Sequence, residues 1–324
     1  MNDSNKVMSL TAAVERFVHD GAHISLGGFT IVRNPMGLAY EIIRQKKKAL
    51  HVYVHSHGLA FDMLIGAGCV KALEVAYGGI ARFSPAGGVR FRKAVESGTV
   101  RYEDYSNHQM VMRFMAGAMG VPFLPLKGVP DTDVVRKWGF DENFRSNTPG
   151  VPLKKVATIK NPFADPDQEE ELLVVPAIRP DVTLIHVQKA DAEGTCRIEG
   201  LTFADVEQAK AAKCVIATCE ELIPRDEIRR EPDRNQIPFF IVDAVVPLPY
   251  GAYPTACYRY YDYDDGHLKE YADAAADDDA FQKFLDHFIY GVDAHEDYLD
   301  RIGKDRLDSI KADPVFGYRP RTAT

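Results

Sequence analysis

Asp20-Gly21-Ala22-His23-Ile24-Ser25-Leu26-Gly27-Gly28-Phe29-Thr30-Ile31-Val32-Arg33-Asn34-Pro35 is the stretch on which the fold turns. Asp20-Gly21 turns the chain into a short apolar strand, His23 to Leu26, which delivers two glycines, and a helix starts after Pro35. Glycine lets a backbone come close to a ligand and adopt angles that a side chain forbids. The helix start that follows offers unpaired N–H groups and a positive dipole end to an anion. In an open α/β sheet a ligand belongs at this place, outside the carboxyl ends of the strands. A plain tight βα turn has the same signature, so the residues alone leave both readings open.

Outward from this stretch the chain repeats strand, turn and helix. Ser9 caps an apolar helix over Leu10 to Val18, and a second helix carries Leu38, Ile42 and Ile43. The basic run from Arg44 to Lys48 closes that second helix, where cations complement the dipole. Strands are expected at His51–Val54, Ala72–Tyr77, Leu172–Val175, Val182–Val187, Cys214–Thr218 and Ile237–Val242. Helices are expected at Phe203–Ala212 and along the acidic, alanine-rich stretch Glu270–Tyr298, with Phe281, Phe284, Phe288 and Tyr298 on its apolar side. Alternation of this kind means βαβ units: an α/β fold with an open, mostly parallel sheet flanked by helices. We expect one domain over residues 1–313, with an excursion at about 127–167 that carries a small strand near Val156–Ile159. Residues 314–324 are expected to form an extended C-terminal tail.

The composition narrows the function. With 324 residues there is ample chain to bury a core. A formal net charge of −8 argues against nucleic acid, which needs a concentrated basic face. Cys69, Cys196, Cys214, Cys219 and Cys257 are scattered and odd in number, which suits reduced thiols in the cytoplasm. No apolar run approaches the roughly 18 residues of a membrane span, and the polar start from Met1 to Lys6 leads into no signal-type stretch. Gly27-Gly28 does not extend to GxGxxG with an acid placed for a ribose, which disfavours a dinucleotide enzyme.

The stretch from Asp20 to Pro35 resembles the first signature of the class I coenzyme A transferases: an acid, glycine, an apolar run, Gly-Gly-Phe and a later proline. Arg33 stands where the family commonly has glycine, and a basic residue there is typical of its glutaconate branch. Phe61–Gly66, Glu103–Ser106, Pro122–Pro125, Asp181–His186, Ala190–Thr195, Cys219–Glu221 and Asp243–Val246 resemble the same branch. The likeness runs from about Val7 to beyond Tyr298.

The resemblance implies an alpha subunit that works with a homologous beta subunit, in a hetero-oligomer such as A2B2, with acyl-CoA and a carboxylic acid as substrates. In that family a glutamate on the beta chain attacks the acyl-CoA and carries CoA as a thioester, so no catalytic residue is expected in this chain. Coenzyme A is then a substrate, and neither a tightly bound cofactor nor a metal is expected. Glu96-Ser97-Gly98 imitates the nucleophile motif but follows a charged helical segment, where a glutamate is neither desolvated nor held in place. Candidate substrate-binding or oxyanion residues are Gly27, Gly28, Phe29, Thr30, Arg33, His57, Gly78 and Gly79. Phe29 and Thr30 are expected to line the acyl pocket, and Arg33 to grip the distal carboxylate of a dicarboxylic acyl group or else to form a surface or intersubunit salt bridge.

His51, His55 and His57 alternate along a strand end, and a polar pocket wall suits them better than a metal site. His186 reads as a satisfied core residue, and the acids Asp262–Asp265 and Asp277–Asp279 as a solvated turn and a helix start. A hydrolase branch of the superfamily, which opens steroid-derived rings, uses a glutamate of the alpha chain near Asn107 and His108 as a base. Those two residues are the polar or basic candidates here. An acyl-CoA hydrolase, or a non-catalytic homo-oligomeric scaffold, are the alternatives to a transferase.

Overall fold

Side chains along β8 (Val182–Ala190) alternate between two apolar clusters: Val182 and Leu184 join one, Ile185 and Val187 the other. A strand buried on both faces belongs in the interior of a parallel sheet covered on both sides. The computed structural model, which describes residues 5–84, 86–127, 132–165, 167, 170–313 and 315–320, shows such a sheet.

Its strands are β1 (His23–Leu26), β2 (Leu50–His57), β3 (Val70–Gly78), β4 (Arg101–Asp104), β8, β10 (Cys214–Leu222) and β11 (Ala244–Pro247), in the order β11-β10-β8-β1-β2-β3-β4. Every pairing along that path is parallel, and the short β9 (Cys196–Arg197) adds an antiparallel pair to β8. The chain winds outward one way from β1 to β4 and the other way from β8 to β11. The order therefore reverses between β1 and β8, and Gly27 follows directly from β1 at that reversal.

Helices α1 (Leu10–Phe17), α2 (Met36–Arg44), α3 (Leu59–Gly66) and α4 (Val89–Glu96) cover one face, with Ala13, Leu38 and Phe61 in its large apolar cluster. Ser9 caps α1 by accepting from the Ala12 N–H at 3.2 Å. On the other face lies α5 (Asn107–Met119), opened by a Ser106–Gln109 capping box and closed by the left-handed Gly120. Beneath α5 a separate antiparallel sheet pairs β5 (Phe123–Leu126), β7 (Glu171–Pro176) and β6 (Ala157–Lys160) in the order β5-β7-β6. The excursion holds β6 with α6 (Asp133–Arg136) and α7 (Glu142–Asn147). Its residues 128–131 and 166 lie outside the described residues.

The remaining helices are α8 (Asp205–Ala211), α9 (Arg225–Arg230), α10 (Asp265–Ala275), α11 (Asp278–Leu285), α12 (His295–Ile302) and α13 (Lys304–Ser309). α8 lies over the reversal: Gln208 Nε2 donates to Ser25 Oγ at 2.9 Å and to the Leu26 carbonyl at 3.0 Å, while its carbonyl accepts from Thr183 Oγ1.

Several expectations need correction. Ile237–Val242 is not a sheet strand: Phe239–Ile241 is a 3₁₀ turn, and the strand comes later, at β11. Pro238 has no N–H for a ladder, and Phe239 and Phe240 are 47% and 72% exposed, so the segment lies at the surface. Leu172–Val175 is a strand, but of the antiparallel sheet rather than the parallel one. The helical stretch from Glu270 is broken, first at Asp277, which caps α11 through the Ala280 N–H, and again at Gly291. Its four named aromatics are buried as expected. Asp262 and Asp264 are not solvated: both are 4% exposed, and Asp264 caps α10 while accepting from Tyr253 Oη at 2.6 Å. In the tail, Pro314 and residues 321–324 lie outside the described residues, whereas Arg319 pairs with Asp265.

Candidate active site at the switch point

Residues 27–33 form a tight hairpin whose backbone donors are spent inside the protein. The Gly27 N–H donates to the Leu184 carbonyl at 2.9 Å, Gly28 to Asp205 Oδ1 at 2.8 Å, and Thr30 to the Ser56 carbonyl at 3.0 Å. Phe29 and Val32 exchange both of their bonds at 2.8 Å. The expected oxyanion donors at Gly27 and Gly28 are thus already occupied. Of residues 27–33, only the Ile31 N–H lacks an acceptor among the described residues.

Glycine is required here. Gly28 has φ +87°, and a Cβ on it would run into the Arg33 carbonyl. On Gly27 a Cβ would stand 2.8 Å from Ile185 Cγ2. Thr30 (φ 45°), Arg33 (φ 49°) and Phe203 (φ 50°) are also left-handed, an unfavourable backbone for side chains of this size. Strain gathered in this way marks functional sites more often than scaffolding.

Arg33 is 1% exposed. One guanidinium nitrogen pairs with Asp205 Oδ2 at 2.8 Å and reaches the His186 carbonyl at 3.2 Å, while the other donates to the Leu201 carbonyl at 2.8 Å. Its fork is therefore filled by the protein, neither open to a substrate carboxylate nor on the surface. Asp205, which the sequence did not single out, holds both Gly28 and Arg33 and is fully buried.

Phe29 and Thr30 are half-buried. The Phe29 ring stacks on Phe203 at 4.8 Å between centroids and tilts against His55 at 5.7 Å. Beside the hairpin a cleft of about 610 Å³ opens, and its wall takes in Ile31, Val32, Tyr263, Phe316 and Tyr318 rather than Phe29 and Thr30.

His57 ends β2 fully buried, with Nε2 on the Gly27 carbonyl at 2.9 Å. Burial lowers its pKa to about 4 although that carbonyl pulls the other way, so the ring is neutral at pH 7 and Nε2–H is the donor. His55 is also pushed down by burial, with Asp205 opposing. The Gly79 N–H donates to the His57 carbonyl at 2.9 Å, and Gly88 donates to the Gly78 carbonyl at 3.1 Å. A Cβ on Gly58 would strike the Thr30 carbonyl. The ends of β1, β2 and β3 therefore meet, bringing together Gly27–Thr30, His57, Gly78 and Gly79.

Ser56 adds Asn107 to this group. Its hydroxyl donates to Asn107 Oδ1 at 2.6 Å, which leaves the exposed amide with its Nδ2 donors free. His108 is exposed, and its ring makes no hydrogen bond among the described residues. Glu96 is exposed at the end of α4, away from these strand ends. His186 is satisfied as expected, by Thr218 Oγ1 and Glu220 Oε1, each at 2.8 Å. His186, Glu220 and Cys257 bring ligand-type atoms within 4.8 Å of one another, but Tyr261 Oη and the Tyr250 N–H already bond Glu220.

A strained glycine hairpin at the reversal of sheet order now stands beside the matches to known proteins. Residues 7–247 match the Coenzyme A transferase family. The chain belongs to that family. It is 41% identical over 317 residues to the A chain of glutaconate CoA-transferase from Acidaminococcus fermentans, covering 97% of each chain. It is 32% identical to the corresponding chain of 3-oxoadipate CoA-transferase from Pseudomonas knackmussii, over 92% of this chain and 99% of that one. The crystal structure of glutaconate CoA-transferase from Acidaminococcus fermentans superposes with a TM-score of 0.93 at 40% identity, covering 98% of both chains. The open parallel sheet is thus the CoA-transferase fold. Among the described residues no helix is long and apolar enough to cross a membrane.

Asp205, Phe203 and Ser56 escaped the sequence reading as site residues, whereas His55 was read as part of a polar pocket wall. Phe203 and Asp205 reach the hairpin from more than 170 residues away, and no local motif marks them.

Proposed function

We propose that the chain is the alpha subunit of a hetero-oligomeric CoA-transferase, such as an A2B2 assembly, and that the nucleophilic glutamate comes from a homologous beta subunit. The observation that carries this is the missing carboxylate. The hairpin is rigid and preorganised, yet the acid bonded to it among the described residues, Asp205, is buried and held by Arg33 and Gly28. Thr30, Asn107 Nδ2 and the Ile31 N–H are the donors left to face a substrate, and none of them is a carboxylate.

The chemistry then divides between two chains. The partner's carboxylate attacks the acyl-CoA carbonyl and expels the CoA thiolate, leaving a mixed anhydride. The thiolate attacks the glutamyl carbon of that anhydride, which releases the first acid and leaves a glutamyl thioester. A second acid reverses both steps and departs as the new acyl-CoA. This chain would position the acyl group and donate hydrogen bonds as charge develops on the carbonyl oxygen. Coenzyme A serves as a substrate in this scheme, which needs no other cofactor, and the compartment is the cytoplasm. Glutaconate and 3-oxoadipate, named for the two relatives, are dicarboxylates, and we propose a dicarboxylate here. With the Arg33 fork filled, its distal carboxylate must be met by another group.

The test is mass spectrometry of the two co-expressed chains after acyl-CoA. A CoA-sized adduct on the partner and none on this chain is the expected result. Free acid and CoA accumulating without an adduct would point instead to a hydrolase on this scaffold.

A further inference from the structure

We propose that the amino-terminal end of the parallel sheet holds a second binding site, for a small anion of phosphate or carboxylate type. A cavity of about 390 Å³ opens there between the starts of β1, β2 and β3, the approaches to β8 and β10, and the loop after α7. Its volume is at the small end of ligand cavities. His23 and Gly27 are four residues apart along β1, so the cavity lies about 13 Å from the glycine hairpin, at the other end of the strand.

Charge argues for an anion. Lys71, Arg179 and Lys213 line the cavity, and among the described residues Asp181 is its only lining carboxylate. Asp181 is already engaged, by Lys213 Nζ at 2.8 Å and the His23 N–H at 2.9 Å. Lys71 and Arg179 have no carboxylate partner among the described residues. Lys71 Nζ sits 5.8 Å from the centroid of Phe144, and Arg179 reaches only the Val121 carbonyl, at 3.4 Å. Two cations without carboxylate partners among the described residues therefore face one recess on a chain of net charge −8.

The floor of the cavity provides the second argument. His23 and His51 stack with centroids 4.5 Å apart. His23 Nδ1 bonds Tyr53 Oη at 2.7 Å, which leaves Nε2 as the unengaged nitrogen of a half-buried ring. His51 is 3% exposed, with Nε2 on Glu74 Oε1 at 2.8 Å, and its Nδ1 has no partner among the described residues. Buried polar atoms without partners are few in folded proteins and call for an explanation. A second lobe of charge behind the floor is closed: Arg113 binds the other oxygen of Glu74 at 2.5 Å.

The His23 imidazole would also make the site sensitive to pH toward the acid side. Burial, with His51 and Lys213 adding to it, lowers the pKa of His23 to about 4, while Asp181 and Glu74 pull it up. Lys71, Arg179 and the neutral Tyr53 hydroxyl complete its surroundings. An anion in the cavity favours the protonated ring, so binding takes up protons and strengthens as pH falls.

Calorimetric titration of the full chain with inorganic phosphate, and separately with malonate, tests the site at pH 6.0 and 7.5 with ionic strength held by chloride. Saturable binding of one anion per chain is expected at both pH values. The preferred anion assigns the site to phosphate or carboxylate chemistry. The double variant Lys71→Ala/Arg179→Ala, altered only at exposed side chains, should bind at least tenfold more weakly while keeping the circular dichroism of the parent. Absence of saturable binding by either anion would overturn the proposal. So would binding that the double variant leaves unchanged, since the anion would then lie elsewhere.

Discussion

The two ends of one parallel sheet are built on opposite electrostatic plans. At the carboxyl end the glycine hairpin keeps its single ion pair, Arg33–Asp205, fully buried, and presents uncharged groups: Thr30, Phe29, His55 and the Asn107 amide. At the amino end the buried Glu74 is gripped by Arg113 and His51, and unpaired cations line the recess above it. The difference teaches where each end invests its order. The carboxyl end uses its backbone donors and its ion pair to hold a strained hairpin, and in the proposed function its reactive carboxylate comes from a partner chain. The amino end spends its ion pairs on the interior and leaves charge over for solvent or a ligand.

The strongest test of this contrast is Asp205→Ala. It strips a buried guanidinium of its paired carboxylate and the Gly28 N–H of its acceptor. Breaking a buried pair by removing one partner costs about 3–5 kcal/mol. Urea unfolding should show a loss of that size and activity should vanish with the hairpin. Lys71→Ala at the other end should change stability by less than about 0.5 kcal/mol, as exposed substitutions do. A mild Asp205→Ala would mean that the hairpin is held by something else.

Gly28→Ala comes next. Left-handed backbone costs a non-glycine residue about 1–2 kcal/mol, and forcing a methyl against the Arg33 carbonyl adds about 1–3 kcal/mol. Together a loss of roughly 2–5 kcal/mol is expected from the unfolding midpoint. Gly21→Ala shares the positive φ but has open space around its Cβ, so it should lose only the backbone part.

Acid should reveal the neutral histidine. The unfolded ring takes its proton near pH 6.5 and the folded His57 only near pH 4. Between those values the unfolded chain binds more protons, so stability falls as the pH falls. From pH 6.5 to 5 the share of one such group is about 1.6 kcal/mol. His23 and His267, lowered to about 4 and about 3, act in the same direction, so the readout is a difference between proteins. His57→Gln retains an amide N–H for the Gly27 carbonyl, and its stability should depend on pH with about one proton less across this window. Equal slopes would show that His57 is charged in the folded state.

How much of this was legible follows from distance along the chain. Gly27, Gly28 and Pro35 could be read because turn chemistry is local: a positive φ and a helix start are written into adjacent residues. Ser9, Asp277 and the strand at Val182–Val187 were legible for the same reason. Asp205 was not, since it meets Gly28 across 177 positions. Arg33 misled because a lone basic residue beside a ligand turn looks like a ligand group until its buried partner is seen. The amino-end cluster was hidden too. His51 and Glu74 sit in segments that read simply as strands, and only the pairing of β2 with β3, which sets Tyr53 opposite Glu74, brings the His51 ring within reach of that carboxylate. Ile237–Val242 misled in the other direction: its apolar composition suggested a strand, while its proline decided for a surface turn.

The smallest effect separates two neighbours on the first turn of α5. Asn107 and His108 are both exposed, but only Asn107 is tied to the strand ends, through Ser56. The Ser56 hydroxyl fixes the amide oxygen, so the Nδ2 donors stay turned outward beside the Thr30 hairpin, which itself bonds the Ser56 carbonyl. A hydrogen bond to an uncharged acceptor is worth about 1 kcal/mol. Asn107→Ala should therefore lower kcat/KM for CoA transfer by roughly five-fold in the complex with the beta subunit, with the unfolding midpoint unchanged. Ser56→Ala should reproduce part of that loss, because it frees the amide to rotate without removing it. His108→Ala should leave both readings at the parent value. A larger loss for His108→Ala than for Asn107→Ala would shift the working group one residue along the helix and put an imidazole, in place of an amide, beside the hairpin.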